Sequence, residues 1–451
     1  MSREVNERLL ARIWLGQWLN GSRLRTFAGE RLQVVFPGRP NGDRGPDLLD
    51  AMVSLEEGRL LQGDVELHVR ARDWSAHGHH QDPFYNGVVL HVTWSADMPW
   101  VEREDRVQVP TVPLKGCTSL PIEELLQLGE AEPPFYTGCR RVAEGLGPER
   151  VGGLLDRAGE ARFIAKGSCF QEELTCQPVQ EVLYQGLMGA LGYGKNQEPF
   201  HRLAQRLPLS TLEGLTGGMP LSRRPLAISA LLLGVAGLLP SQGEGDGMGS
   251  FTRAELDGLE KLWRGSLLAQ EMEAREWRTF RIRPANHPGS RIMGIGHLLA
   301  RFLGTGLPEG LGQAVMEVHS AGTPGPLERS IKVSKHLGQG RTREMIVNVV
   351  LPFFWALGEY QSHPGLAEAC LELFRACPKG RDNHITRQMG LQLYRDGGRG
   401  VIDSARRQQG LIHLFKGPCH HGYCPGCPLG RALASAEGEA VAAGYGLAAA
   451  G

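Results

Sequence analysis

The chain has 451 residues, 22% charged and 41% hydrophobic, which is the composition of a soluble globular protein with room for two or three domains. Lysine plus arginine equals aspartate plus glutamate at 49 each, and that balance argues against tight, non-specific binding to long duplexes, where phosphate contacts drive affinity. The longest apolar run, Leu226 to Leu239, is too short to span a bilayer, and the N-terminus lacks the apolar core of a signal peptide; the expected location is the cytoplasm, with no membrane partner.

Glu7 to Asn20 places Leu9, Leu10, Ile13, Trp14 and Trp18 at helical spacing and predicts an opening amphipathic helix. Leu32 to Phe36 predicts a strand stopped by Pro37-Gly38. A hairpin follows, Ala51 to Leu55, a turn at Glu56 to Arg59, then Leu60 to Val69. Side chains alternate along a strand, so Val65, Leu67 and Val69 share one face while Asp64, Glu66 and His68 share the other. Asp47 at the start of the hairpin and Glu66 within it converge on an oxygen-rich site suited to Mg²⁺ or Mn²⁺, with His68 beside them. A metal to stabilise charge and a base to activate water are the needs of phosphodiester hydrolysis.

A polar segment from Asp73 to Asn86 then crowds together Trp74, His77, His79, His80, Asp82, Tyr85 and Asn86. Imidazole titrates near neutrality and ligates metals; the structural alternative is a plain surface loop. Val88 to Trp94 predicts a strand, and Val107 to Val109 with Thr111-Val112 a further short one, completing a mixed α/β domain with a largely antiparallel opening. Helical periodicity dominates afterwards, over 151–166, 179–191, 226–238, 256–279, 291–303 and 345–357, with breaks at 240–249 and 322–326. Arginine-rich stretches at 275–291 and 329–343 read as solvated helix faces, and Arg281, Arg283 and Arg291 as either phosphate ligands or intramolecular ties between helices.

Near the C-terminus, Cys419-x4-Cys424-x2-Cys427 brings three thiols within reach of one ion. Cytosolic cysteines clustered this way point to zinc or an iron–sulfur cluster rather than disulfides, and either requires a fourth ligand. An Ala/Gly-rich tail follows from Arg431. No phosphate-binding GxxxxGK[ST] loop and no GxSxG nucleophile elbow is present. The expected organisation is α+β: a nuclease-like α/β domain over 1–120, a helical region over 121–405, a cysteine metal-binding segment over 406–430 and a flexible tail over 431–451.

The stretches Asn41 to Asp47, Gly63 to His68, Asp73 to His79, Tyr85-Asn86, Leu191 to Asn196, Arg283 to Pro288 and Gln408 to Ile412 resemble the uncharacterised bacterial family called domain of unknown function 2851. The N-terminal part is similar, more distantly, to the PD-(D/E)-x-K nuclease superfamily. That resemblance implies a restriction-endonuclease-like fold, with Asp47, Glu66 and the Leu67 carbonyl as metal ligands and Glu7 as an additional acid. It places His68 where those nucleases carry their catalytic lysine, and His79, Asp82 and Tyr85 where a helix beside the metal orients substrate. The family position of Cys139 makes it the favoured fourth ligand, with His420, His421 and Cys377 as alternatives. The implied function is a divalent-metal-dependent nuclease acting on nucleic acid. The alternatives are a non-catalytic nucleic-acid-binding or scaffold protein on that fold, and an iron–sulfur or zinc redox or sensing protein.

Overall fold

The computed structural model describes residues 5–41, 44–56, 59–127, 137–242, 251–279, 286–321, 325–394, 396–419 and 426–432. The protein is mixed α+β, a curled N-terminal sheet followed by a mostly helical region. It divides into two compact units. One comprises Met1–Leu154, His384–Val401 and Leu414–Gly451; the other comprises Leu155–Asn383 and Ile402–His413.

In the first unit, helix α1 (Glu7–Gly16) begins where the Asn6 side chain caps it, accepting from the Leu9 N–H at 2.9 Å. It stops short of the expected Asn20 because Gln17 adopts left-handed backbone, φ 51°. Its buried face, Leu9, Leu10, Ile13 and Trp14, clusters with Val65, Leu67, Leu90, Val92 and Val112 of the sheet. Each such side chain contributes roughly 1.5–3 kcal/mol by burial. The Trp14 indole also donates to the Pro37 carbonyl at 2.8 Å, fixing the chain that leads out of the first strand.

The strands are β1 (Leu32–Phe36), β2 (Arg39–Pro40), β3 (Leu48–Leu55), β4 (Leu60–Arg70), β5 (Val88–Ser95), β6 (Trp100–Glu102) and β7 (Gln108–Pro113). They form one sheet in the order β1-β3-β4-β5-β7-β6, with β2 paired to β3. The expected hairpin is β3–β4; the short strand expected from residue 107 is β7, and β6 is additional. β1, β3 and β4 run antiparallel, whereas β4, β5 and β7 run parallel. A parallel pair needs a crossover. Between β4 and β5 that crossover is the histidine-rich segment, folded into helix α2 (Asp73–Ala76) and two single 3₁₀ turns, His79–Gln81 and Pro83–Tyr85. Histidines next to one another in sequence are thus laid against the face of β4 that α1 does not cover.

The remaining helices are α3 (Ile122–Gln127), α4 (Thr137–Leu174, interrupted at Gly147), α5 (Val179–Arg206), α6 (Leu209–Thr216), α7 (Arg224–Val235), α8 (Arg253–Arg264), α9 (Pro288–Phe302) and α10 (Leu307–Ala321). After them come α11 (Gly325–Ile331), α12 (Gln339–Met345), α13 (Leu351–Tyr360), α14 (Pro364–Ala376), α15 (His384–Leu393) and α16 (Ala405–Leu414). The helix expected over 256–279 ends at Arg264. A reciprocal Thr252–Glu255 capping box starts it and Gly265 ends it, while Trp277 packs separately through an indole bond to the Ala236 carbonyl at 2.9 Å. The segment Arg224–Gln242 is apolar enough over 19 residues to match a membrane-crossing helix, but it is 67% buried, and Ile228, Ala230 to Leu233 and Val235 belong to the helical unit's core.

Candidate metal centre

The site forms where the start of β3 meets the middle of β4. Leu48 pairs with Val65, so Asp47 lies beside Glu66. The Asp47 N–H donates to Glu66 Oε2 at 2.9 Å, and the Leu67 N–H donates to Asp47 Oδ2 at 3.2 Å. Two acids 19 positions apart are thereby each held by the other's strand. The loop before Asp47 is shaped for this. Gly45 takes φ 111°, open to glycine, and Asn41 ties the loop at both ends: its N–H donates to the Asp47 carbonyl and its Nδ2 to the Pro46 carbonyl, each at 2.7 Å.

Glu66 and His68 are only 5% and 1% exposed, because the crossover covers their face of the sheet. Glu66 Oε1 lies 3.2 Å from His79 Nε2 and 3.6 Å from His68 Nε2. His68 engages other imidazoles through both ring nitrogens: Nδ1 sits 2.9 Å from His91 Nε2, and Nε2 sits 3.0 Å from His77 Nδ1. His91 stands on β5, directly opposite Glu66 in the parallel register. Trp74 braces the group, its indole N–H on the Glu102 carbonyl at 2.8 Å and its ring 5.4 Å, centroid to centroid, from both His79 and His91. Tyr85 stacks on His79 at 3.8 Å. Asp47, His77 and Glu7 are exposed residues, whereas Glu66, His68, His79 and His91 are buried. The centre therefore has a buried floor and a wet rim.

Its electrostatics follow from the crowding of acids and imidazoles. Although Asp47 as a residue is exposed, partial desolvation of its carboxyl, then repulsion from Glu66, pushes it up to about 7, opposed by the Leu67 N–H. Burial also raises Glu7; His77 opposes that rise, while Glu66 and Asp73 add to it, so Glu7 shares the field of the site. His68 is held down to about 2 by burial and then by His91, His79 and His77; His91 falls to about 3 by burial and then by His79. Both are neutral imidazoles at pH 7. The Tyr85 hydroxyl is raised by burial and by Glu66 and Asp47, so it stays protonated.

Asp47, Glu66, His68, His79 and Tyr85 are therefore brought together, with Glu7 at the rim. Asp82 lies within the field of His79 and Tyr85, but its carboxylate is occupied: it caps the 3₁₀ turn at the Phe84 N–H (3.0 Å) and holds Arg44 at 2.8 Å. Arg44 in turn lies over the Phe84 ring, 4.6 Å from its centroid. His68, held neutral at pH 7, leaves no ring nitrogen toward solvent. Two members of the centre were not among the expected site residues. His77 was visible in the histidine run, and His91 was marked only by a lone imidazole inside the apolar strand Val88 to Val92.

Cys139, Cys419 and Cys427 belong to the same compact unit, and Gln392 Nε2 donates to Cys139 Sγ at 3.3 Å. Cys424, His420, His421, Arg281 and Arg283 lie outside the described residues, as does most of the tail. Cys377, the other alternative, is buried in the second unit.

No curated protein and no solved structure matches the chain. One family does, over residues 7–317, a stretch that holds the whole sheet and every residue of the carboxylate–histidine centre but ends before the cysteine segment. On that match the chain belongs to the family described as Protein of unknown function (DUF2851).

Proposed function

We propose that this protein is a divalent-metal-dependent hydrolase of nucleic-acid phosphodiesters, built on a fold related to the PD-(D/E)-x-K nucleases. The observation that carries it is the reciprocal bracing of Asp47 and Glu66: two carboxylates, one at the rim and one buried, share a point with no lysine or arginine between them. A divalent cation would relieve that repulsion, and the oxygens of Asp47 and Glu66 with the Leu67 carbonyl are the donors that would hold it. The nearby imidazoles favour Mn²⁺ over Mg²⁺, which prefers an all-oxygen shell. When bound, the ion supplies an acidified water and charge stabilisation at the phosphate.

The chain's own residues account for the rest. Asp47, raised by desolvation and by Glu66 in the metal-free site, would give up its proton as the cation binds, so metal affinity would rise with pH. Arg44, steadied by Asp82 and Phe84, supplies the fixed positive charge that His68 lacks. Tyr85, protonated and stacked on His79, holds that ring against Glu66. Zinc or an iron–sulfur cluster on Cys139, Cys419, Cys424 and Cys427 is proposed as a structural clasp within the first unit.

The neutrality of His68 favours one second reading, a nucleic-acid-binding protein whose chemistry has lapsed. One experiment separates the two. Mn²⁺-dependent cleavage of single- and double-stranded DNA and RNA is measured with wild type, Asp47→Ala and Glu66→Ala, each checked for folding by circular dichroism. Cleavage abolished in both variants is expected. Activity retained in both removes the site, and no cleavage by the wild type, with nucleic acid still bound, selects the second reading.

A further inference from the structure

We infer that His68, His77, His79 and Glu66 form a site for a late first-row divalent cation of the zinc class, with His68 Nε2, His77 Nδ1, His79 Nε2 and Glu66 Oε1 as its ligands. Asp47 is not among them, so the inference does not rest on the hydrolytic reading, although the two sites share Glu66.

The spacing of the donors comes first. Four ligands about 2.0–2.1 Å from a tetrahedral zinc stand about 3.3 Å from one another. The separations here are 3.0 Å for His68–His77, 3.2 Å for His79–Glu66 and 3.6 Å for His68–Glu66, and one ligand nitrogen from each of the three histidines lies within 4.8 Å of the others. The three printed separations match a tetrahedral ligand set, on a floor fixed by β4 and a wall fixed by the crossover.

An unpartnered atom aimed at that point comes second. His79 is 7% exposed, and its Nε2 makes no hydrogen bond despite lying 3.2 Å from Glu66 Oε1, because the angle is wrong for one. A buried nitrogen left without a partner is costly, and an ion in front of it removes the penalty. Nitrogen donors in this number exclude Mg²⁺ and Ca²⁺ and suit zinc, cobalt or manganese.

The outer contacts fit a ligand set as well. A metal on His68 Nε2 leaves the ring proton on Nδ1, where it donates to His91 Nε2 at 2.9 Å. Such second contacts orient ligating imidazoles and fix their tautomer. Trp74 and Tyr85 hold the His79 ring from two sides. His77 alone is exposed, so the ion would enter from its side.

The test uses the full chain, freed of metal with a chelator and titrated with Co²⁺. The expected spectrum has visible bands of four-coordinate Co²⁺ at one equivalent, displaced by Zn²⁺ and not by Mg²⁺. Co²⁺ on the cysteine segment is told apart by its near-ultraviolet thiolate charge-transfer band. His77→Ala, at an exposed position that leaves the fold intact, and His79→Ala should each weaken the thiolate-free Co²⁺ site by about 100-fold or more, and His91→Phe by about 10- to 100-fold. Asp47→Asn should leave it unchanged. Bands that appear only with thiolate charge transfer, or an affinity indifferent to both His77→Ala and His79→Ala, overturn the inference. An intact Co²⁺ site in a protein that cleaves nothing removes the hydrolytic reading and leaves this one standing.

Discussion

His91 offers a measurement of how deeply the imidazole network is buried. Its ring is fully buried, opposite Glu66 and against His68, and is held neutral down to about pH 3. In the unfolded chain it titrates near 6.5. Its folded value is therefore depressed, and its contribution to stability is fully present above pH 6.5 and lost as pH falls toward 3. The loss runs at about 1.4 kcal/mol per pH unit, because the unfolded state binds the proton that the sheet refuses. Replacing His91 with Phe removes this dependence and leaves His68 Nδ1 unpaired, at a cost of about 1–3 kcal/mol at pH 7.5. Between pH 7.5 and pH 5.0 the wild type should then lose about 2 kcal/mol relative to the variant, 1.5 units below 6.5 at that slope. His68 is present in both proteins, and burial, the largest cause of its depression, remains in both. The assay is amide hydrogen exchange of peptides covering Val88–Ser95 in metal-free protein, in the regime where exchange reports the opening equilibrium. A wild-type-minus-variant difference that does not move with pH would mean that His91 is charged in the folded sheet, and the neutral network would be wrong.

Two further outcomes test other parts of the molecule. Glu181 on α5 accepts from the Leu209 and Ser210 N–H groups, each at 2.9 Å, and so caps α6 from a neighbouring helix; Glu181→Ala strands two amide donors and should cost about 2–4 kcal/mol in chemical denaturation, with Glu181→Gln recovering part of it. Arg44→Ala, if Arg44 meets phosphate, should weaken binding of all nucleic-acid sequences alike and lower the salt slope of binding by about 1, whereas an unchanged slope returns Arg44 to a purely local role with Asp82.

The Asp47–Glu66 pairing was legible because two local rules produce it. A short turn fixes the hairpin register, and strand alternation then decides which residues share a face. Val65 and Leu67 accordingly join α1, while Glu66 and His68 take the opposite side. That side is buried too, and the sequence holds no local signal that the Asp73 to Asn86 segment folds down over it. His91 was hidden for a related reason. Its meeting with Glu66 depends on a parallel register set across a crossover, which no window of neighbouring residues encodes. Helix existence was more legible than helix length, because single residues made the stops: the left-handed Gln17 ended α1, and Gly265 ended α8 before its apolar pattern ran out.

The division of the chain has a consequence for its synthesis. Phe36 and Arg39, on the strands at one edge of the sheet, meet the ring of Phe415, at 6.2 Å between ring centroids and 5.9 Å from the guanidinium carbon. Residues 155–414 intervene before Phe415 is made. At about 5–20 residues per second the ribosome takes roughly 13–52 s to cross them. For that interval the emerging sheet has its α1 face covered and its Phe36 edge bare. A nascent chain arrested between residues 154 and 415 should accordingly be the species that holding chaperones engage through that edge.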